Sequence, residues 1–464
     1  MSFNKKILAA AVAAAVVSPA AMAVSLVAPN NPSLYPVELV VPATRLTLIN
    51  GAANQLDISS PFNYAFSDGE VRYVRVSCTT DVRFNANTAV TTTGNVTAGA
   101  VNGIGTSVIT FSVTAGAGGA PAGTFTVTGD RSVSSTGDSS CSYSLYDQPS
   151  EAAAGGAAGR ITSVTGMYLD FINSYLMTTT ASNATANVES PTTAYSQFLV
   201  NNVNAGTVDL GTINTALAAG TIFEADGSDL QFAEIIGAGS RHIITGDFTA
   251  VANANGTYTG AALGRIELDP DADCTNDGDE ISATSVTATT ATFNTGSLPL
   301  NHTVCFTAEG SSAISEASYS VVWDVVSADP NKYATPDVGP QALGSIARNG
   351  TQLQAPLVQT PDGWLSRIAL TNSGNQARSY SVRVIDEEGN ATTLNNAALT
   401  GTIMANSTKV ISVNSIIASY AGNPRATIIL TVAAPNNQIQ ALYQITNPAA
   451  GSLSNHVMVR PGTN

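Results

Sequence analysis

The residues best able to do chemistry in this sequence are carboxylates. The stretch ELDPDADCTNDGDE (267–280) holds seven of the chain's 33 acids: Glu267, Asp269, Asp271, Asp273, Asp277, Asp279 and Glu280. Carboxylates this dense repel one another unless solvent or a cation screens them. Hard oxygen ligands at alternate positions around a glycine turn suit calcium. Asp273-x-Thr275-x-Asp277-Gly278-Asp279 follows the start of a helix–loop–helix calcium loop, but Thr284 stands where that loop needs its bidentate glutamate. The expectation is an irregular Ca²⁺ loop with Asp269, Asp271, Asp273, Asp277, Asp279 and Glu280 as ligands. The plain alternative is a solvated acidic turn.

Other chemistry is sparse. His242, His302 and His456 lie far apart, and no HExxH, GxSxG or phosphate-binding glycine loop occurs. A sugar-cleaving carboxylate pair would need aromatic platforms, and only Trp323 and Trp364 are present. The sequence therefore reads as non-enzymatic. Cys78, Cys141, Cys274 and Cys305 lack a CxxC pair, which argues against zinc. In an exported chain they predict disulfides, most simply Cys78–Cys141 and Cys274–Cys305. Loop-closure entropy gives such bridges roughly 4 kcal/mol each before strain.

Export is read from the first residues, MSFNKKILAAAVAAAVVSPAAMA. Lys5 and Lys6 precede an apolar run, and Ala21-Met22-Ala23 fits a cleavage site, so 1–23 reads as a bacterial signal peptide. The apolar run is too short to span a bilayer, and a chain that does not span a membrane is expected.

The elements that must position these residues are strands. Runs such as EVRYVRVSC (70–78), SVITFSV (107–113), WLSRIAL (364–370) and ATIILTV (426–432) alternate or are β-branched, with turn residues between them. Asp68-Gly69, Asp362-Gly363 and Glu388-Gly389 mark tight turns. Three segments predict short helices: 167–177 (which reads equally as a buried strand), 213–220 and 413–422. The fold class is mainly β, several β-sandwich domains in series. The divisions are 24–150 with the first disulfide, 151–335 with the second disulfide and the acidic loop, and 336–464 as an Ig-like β-sandwich. EAAAGGAAG (151–159) and ADPNKYATPDVGPQ (328–341) read as linkers or surface loops.

Composition narrows the function classes. The 464 residues carry 18 Lys+Arg against 33 Asp+Glu, a net charge of -15, and only 11% are charged. That balance offers nothing to neutralise phosphates, so nucleic acid is excluded as a partner. With 44% hydrophobic residues the chain has enough apolar material to build cores. Aromatic residues at 6% leave little for the girdles of an outer-membrane barrel. The charge is uneven. Residues 336–464 hold seven bases and five acids, whereas 24–335 hold nine bases and 28 acids, a formal -19. The last segment is suited to an anionic partner: envelope polysaccharide, lipopolysaccharide or the acidic part of a neighbouring copy.

The phrases LSRIALTNSGNQARSYSVRVIDEEGN (365–390) and GTIMANSTKVISVNSIIA (401–418) resemble Ig-like surface modules. With scarce lysine and abundant small polar residues, the chain resembles bacterial surface-layer or similar extracellular structural proteins. The resemblance implies a secreted protein at the bacterial cell surface that assembles with copies of itself, with calcium as a candidate cofactor. Two other readings are kept open. A pilus or fibre subunit would donate a strand from 24–41, and a monomeric adhesin or carbohydrate-binding module would bind glycans without assembly.

Overall fold

The computed structural model describes residues 23–460 apart from 28–30, 189, 191–192, 194 and 276–277. The expected signal peptide lies outside the described residues, except for Ala23. Strands dominate, as the alternating pattern predicts, and the helices are single turns or little more. No helix among the described residues is long and apolar enough to cross a membrane.

The strands that matter here are β1 (Val71–Cys78), β2 (Val108–Ala115), β3 (Ser139–Tyr146), β4 (Arg160–Ile172), β5 (Tyr175–Ala186), β6 (Thr207–Leu217), β7 (Arg241–Thr245), β8 (Ile266–Asp269), β9 (Asn301–Thr307), β10 (Ala317–Asp324) and β11 (Val338–Arg348). The strands β4, β3, β1 and β2 run side by side in a six-stranded sheet. A twelve-stranded sheet contains β8-β9-β6-β5-β11-β10-β7 in that order. The chain leaves the first sheet along β4 and enters the second along β5, with only Asn173 and Ser174 between. Buried Glu38 fixes this crossing by accepting hydrogen bonds from the Ser174 hydroxyl (2.9 Å) and N–H (3.3 Å). One apolar core runs almost without interruption from Val24 to Ile346. We call 24–346 the body.

Residues 167–177, one of whose readings was a helix, are the end of β4 and the start of β5. Leu169 and Phe171 pair in register with Ser33 and Tyr35, and Tyr175 and Met177 pair with Leu217 and Thr215. Residues 213–217 are likewise strand, held between β5 and β9. Paired neighbours on both sides override the weak helical preference of the alanines. Of the expected linker 328–341, Tyr333 is buried and residues from Val338 onward belong to β11. β11 pairs with β5 and β10 and so lies in the body's own sheet. The segment 24–41, the candidate donated strand, is spent within the body. Val24–Ser25 pairs with Ile58–Ser59, Ser33–Pro36 pairs with β4, and Val24, Leu26 and Tyr35 are buried.

The last part of the chain has a separate core. Its strands are β12 (Thr351–Gln359), β13 (Leu365–Asn372), β14 (Arg378–Asp386), β15 (Thr400–Ile403), β16 (Ser407–Ser412), β17 (Arg425–Val432), β18 (Ile439–Asn447) and β19 (Ser452–Val457). They form two four-stranded sheets, β12-β17-β14-β15 and β16-β13-β18-β19. Ile368, Leu370 and Tyr443 from one sheet and Leu353, Ile428 and Leu430 from the other belong to the shared core. Val413–Ile416 is a single helical turn, and Ile417–Ala421 then continues as strand. Gly69, Gly363 and Gly389 sit in turns with positive φ, where a Cβ would be strained.

Candidate functional site

The acidic stretch begins at the end of β8, a short strand hydrogen-bonded to β9. Alternation along β8 leaves Leu268 buried, and the next residue, Asp269, is buried as well, with no exposed surface. A buried carboxylate needs partners, and the loop supplies them. Asp269 Oδ1 accepts the N–H groups of Asp271 (2.9 Å) and Ala272 (3.0 Å), and Oδ2 accepts that of Cys274 (2.5 Å). Ala272 and Cys274 adopt positive φ to aim these groups inward. Burial disfavours the charge on Asp269, but the Asp271 side chain and these N–H groups outweigh it and hold the carboxyl below the usual range. Asp271 is pushed the opposite way, chiefly by the carboxyl group of Asp269 beside it.

The second disulfide closes the same loop. Cys274 is bonded to Cys305 on β9, and Cys305 is paired across the ladder with Glu267. Cys78 and Cys141 are directly opposed on β1 and β3 and form the first disulfide. Both pairings follow the simplest reading of the spacing.

Of the expected calcium ligands, Asp269, Asp271 and Asp273 place carboxylate oxygens within 4.8 Å of one another. Asp273 Oδ1 accepts from Thr275 N–H (2.7 Å) and its hydroxyl (2.5 Å), and Glu280 Oε2 accepts from Gly278 N–H (3.0 Å). Asp279 is exposed, and Asp277 lies outside the described residues. Three of the roughly four lone-pair sites on Asp269 are thus used in shaping the loop. Its first role is that of a staple. Asp271 and Asp273 are exposed, and Glu280 is half-buried.

Two of the histidines, His242 and His456, take packing roles. His242 is buried on β7, stacked 5.6 Å from Trp323, with Nδ1 3.0 Å from the Thr295 hydroxyl. Burial, with a smaller push from His302, lowers its pKa to about 3, so it is neutral. His456 stacks on Tyr443.

Two features had no signal in the sequence. Arg131 is completely buried and forms no direct ion pair among the described residues, although its charge acts on the carboxylate of Asp57. Its guanidinium donates to the carbonyls of Gly129 (2.7 Å), Asp130 (3.0 Å) and Leu56 (3.1 Å) and lies 4.7 Å from the Phe84 ring. The other feature is a cleft of about 800 Å³ between the body and the last two-sheet unit. Its floor is the outer face of β12-β17-β14-β15, set with Gln352, Ser379, Ser381, Thr402 and Thr431. Its wall is Arg348 over the Tyr195 ring at 4.6 Å, beside Glu316. Asn349 and Arg378 bind the two parts through Val188 and Asn187. The cleft is lined by hydroxyls, amides, two tyrosines, one guanidinium and the Glu316 carboxylate, a surface that suits a polar ligand.

A family model described as S-layer protein Slr4 matches residues 52–449, which includes most of the body, the acidic loop and nearly all of the final unit. The chain belongs to this family. It is a secreted, non-enzymatic structural protein of the bacterial cell surface that assembles with copies of itself into a surface layer. No curated protein matches the chain. For a surface-layer protein, a buried charge such as Arg131 reads as scaffold, and the outward faces become the places where function is carried.

Proposed function

We propose that this surface-layer protein is a tile of a two-dimensional coat whose final unit is an Ig-like β-sandwich. The match to the surface-layer family across 52–449 carries the reading. A surface built largely from small polar residues, with 11% charge overall, supports it. Electron microscopy of cells and of the purified protein, with and without a chelator, tests it. The expected result is a regular lattice, and monodisperse monomers under every calcium condition would sink it.

Two finer parts belong to the same proposal. Calcium bound by Asp271, Asp273, Asp279 and Glu280, with Asp277 and Asp269, would neutralise the densest negative charge on the chain. The nearness of three of these carboxylates supports this. Calorimetric titration with Ca²⁺ should give saturable heat that Asp271→Asn with Asp273→Asn removes. Anionic envelope polysaccharide or lipopolysaccharide would be held through residues 336–464, near the cleft beside Arg348. The excess of bases over acids there supports that placement. Co-sedimentation with purified lipopolysaccharide, weakened by salt, is the expected outcome, and equal binding by Arg348→Ala would remove the cleft from the proposal.

A further inference from the structure

The two sheets of the final unit present different outer faces. That of β12-β17-β14-β15 is the polar floor of the cleft. On β16-β13-β18-β19, strand register sets Val410, Ala369, Leu442 and Val457 directly opposite one another across all four strands. Directly opposed residues share a face. Ile411, Ile368 and Tyr443, one position along, are buried in the core, so this row points outward. Val410 is 57% exposed and Val457 73%, the highest value for a large apolar side chain among the described residues. Four positions along β13, Leu365 opposes Thr446, which opposes Leu453, and both leucines are more than half exposed. Single exposed apolar residues need no explanation, but an apolar row continuous across a sheet marks a contact surface.

Charge names the occupant. On this outer face Arg367 is the one charged side chain, and the four strands hold no Asp or Glu; Lys409 and His456 oppose the buried Leu370 and Tyr443 and so belong to the other side of the sheet. Arg367 lies between the two apolar rows and donates to Gln444. An identical face laid on this one would bring arginine against arginine. Residues 24–335 of a second copy, with nine bases and 28 acids, offer the opposite sign.

We propose that the outer face of β16-β13-β18-β19 docks on the acidic body of a second copy, and that this head-to-tail contact propagates the layer. The proposal rests on the surface-layer reading. A contact between unlike surfaces that does not close on itself extends into an open row, one of the two directions in which a coat must grow. Four strands of about six residues cover roughly 400 Å² in projection, or about 800 Å² counting both partners. That is below the roughly 1,200 Å² of a stable isolated pair. One contact is therefore weak, and the array holds through many of them.

The test uses the full-length protein, with assembly followed by light scattering and negative-stain microscopy against concentration, calcium and salt. Val410→Asp with Val457→Asp should raise the assembly concentration at least tenfold and leave the thermal transition in place. The milder pair Val410→Thr with Val457→Thr should shift it in the same direction, and it is the deciding pair where the aspartates disturb folding. Wild-type layers together with unshifted threonine variants overturn the docking face and leave the surface-layer reading standing. Wild-type protein that never assembles overturns that reading and the face with it. All four native cysteines are paired, so Val457→Cys carries the only free thiol for a photo-crosslinker. In layers mixed with isotopically labelled copies, adducts to labelled peptides from 24–335 support the proposal. Adducts to labelled 336–464, or none, overturn it.

Discussion

The body and the final two-sheet unit are both β-structures, yet they are held in different ways. The body has both disulfides, the buried Arg131, the buried Glu38 and Asp269, and a -19 charge on 24–335. The final unit has no cysteine, and its core is almost entirely aliphatic with a few tyrosines. The body spends polar groups on stapling long, irregular connections. The final unit uses fewer: buried Asn372 holds one turn through Gln376, Met404 and Gly374, Arg378 ties the unit to Val188 of the body, and the outer face of β16-β13-β18-β19 is left exposed.

The comparison breaks most readily at the disulfides. Reduction should cost the body about 4 kcal/mol for each bridge and leave the melting of the final unit unchanged. Differential scanning calorimetry should show one transition moving and one fixed, and a common shift would mean that the two parts unfold as one. Next in size is Arg131→Met, which takes the guanidinium away from the carbonyls of Leu56, Gly129 and Asp130, although Tyr168 still donates to Leu56 and Asn85 to Asp130. The expected loss is about 3 kcal/mol, confined to the body's transition and measured by urea unfolding. Acid should act on the body as well. The folded pKa of His242 is depressed to about 3 from 6.5, so the unfolded chain binds the proton first. Stability from this group is complete above 6.5 and falls by about 1.4 kcal/mol per pH unit as pH drops from 6.5 toward 3. His242→Gln should flatten that slope between pH 6 and 4, and an unchanged slope would assign it to other groups. The smallest stability effect is expected at Val410→Thr, below about 0.5 kcal/mol, although the same change should weaken assembly.

Much of this was legible in the residues. Alternation placed the strands in β13, β14 and β17, because a half-buried strand writes its inner face at every second position. Cysteine spacing indicated the pairing, since each bridge joins partners within one stretch of chain. The acidic loop was visible as composition, and three of its carboxylates do meet. What could not be read was which carboxylate goes inside. Asp269 looks like Asp271 in sequence, and only the pairing of β8 with β9 buries the first and exposes the second. The apolar character of 167–177 fitted a strand or a helix, and its partners at Ser33–Tyr35 and Thr215–Leu217 lie far away along the chain.

By itself the sequence determined the class of protein: strand-rich, poor in charge, with an acidic front and a slightly basic end. These are sums and short-range periods, and they survive whatever the chain does at a distance. Tertiary structure alone decided that β11 belongs to the body, that Arg131 is solvated by carbonyls, and that Val410, Ala369, Leu442 and Val457 form one row. Each of these is a matter of register between segments distant in the chain. A one-residue slip between strands would move every such side chain to the opposite face.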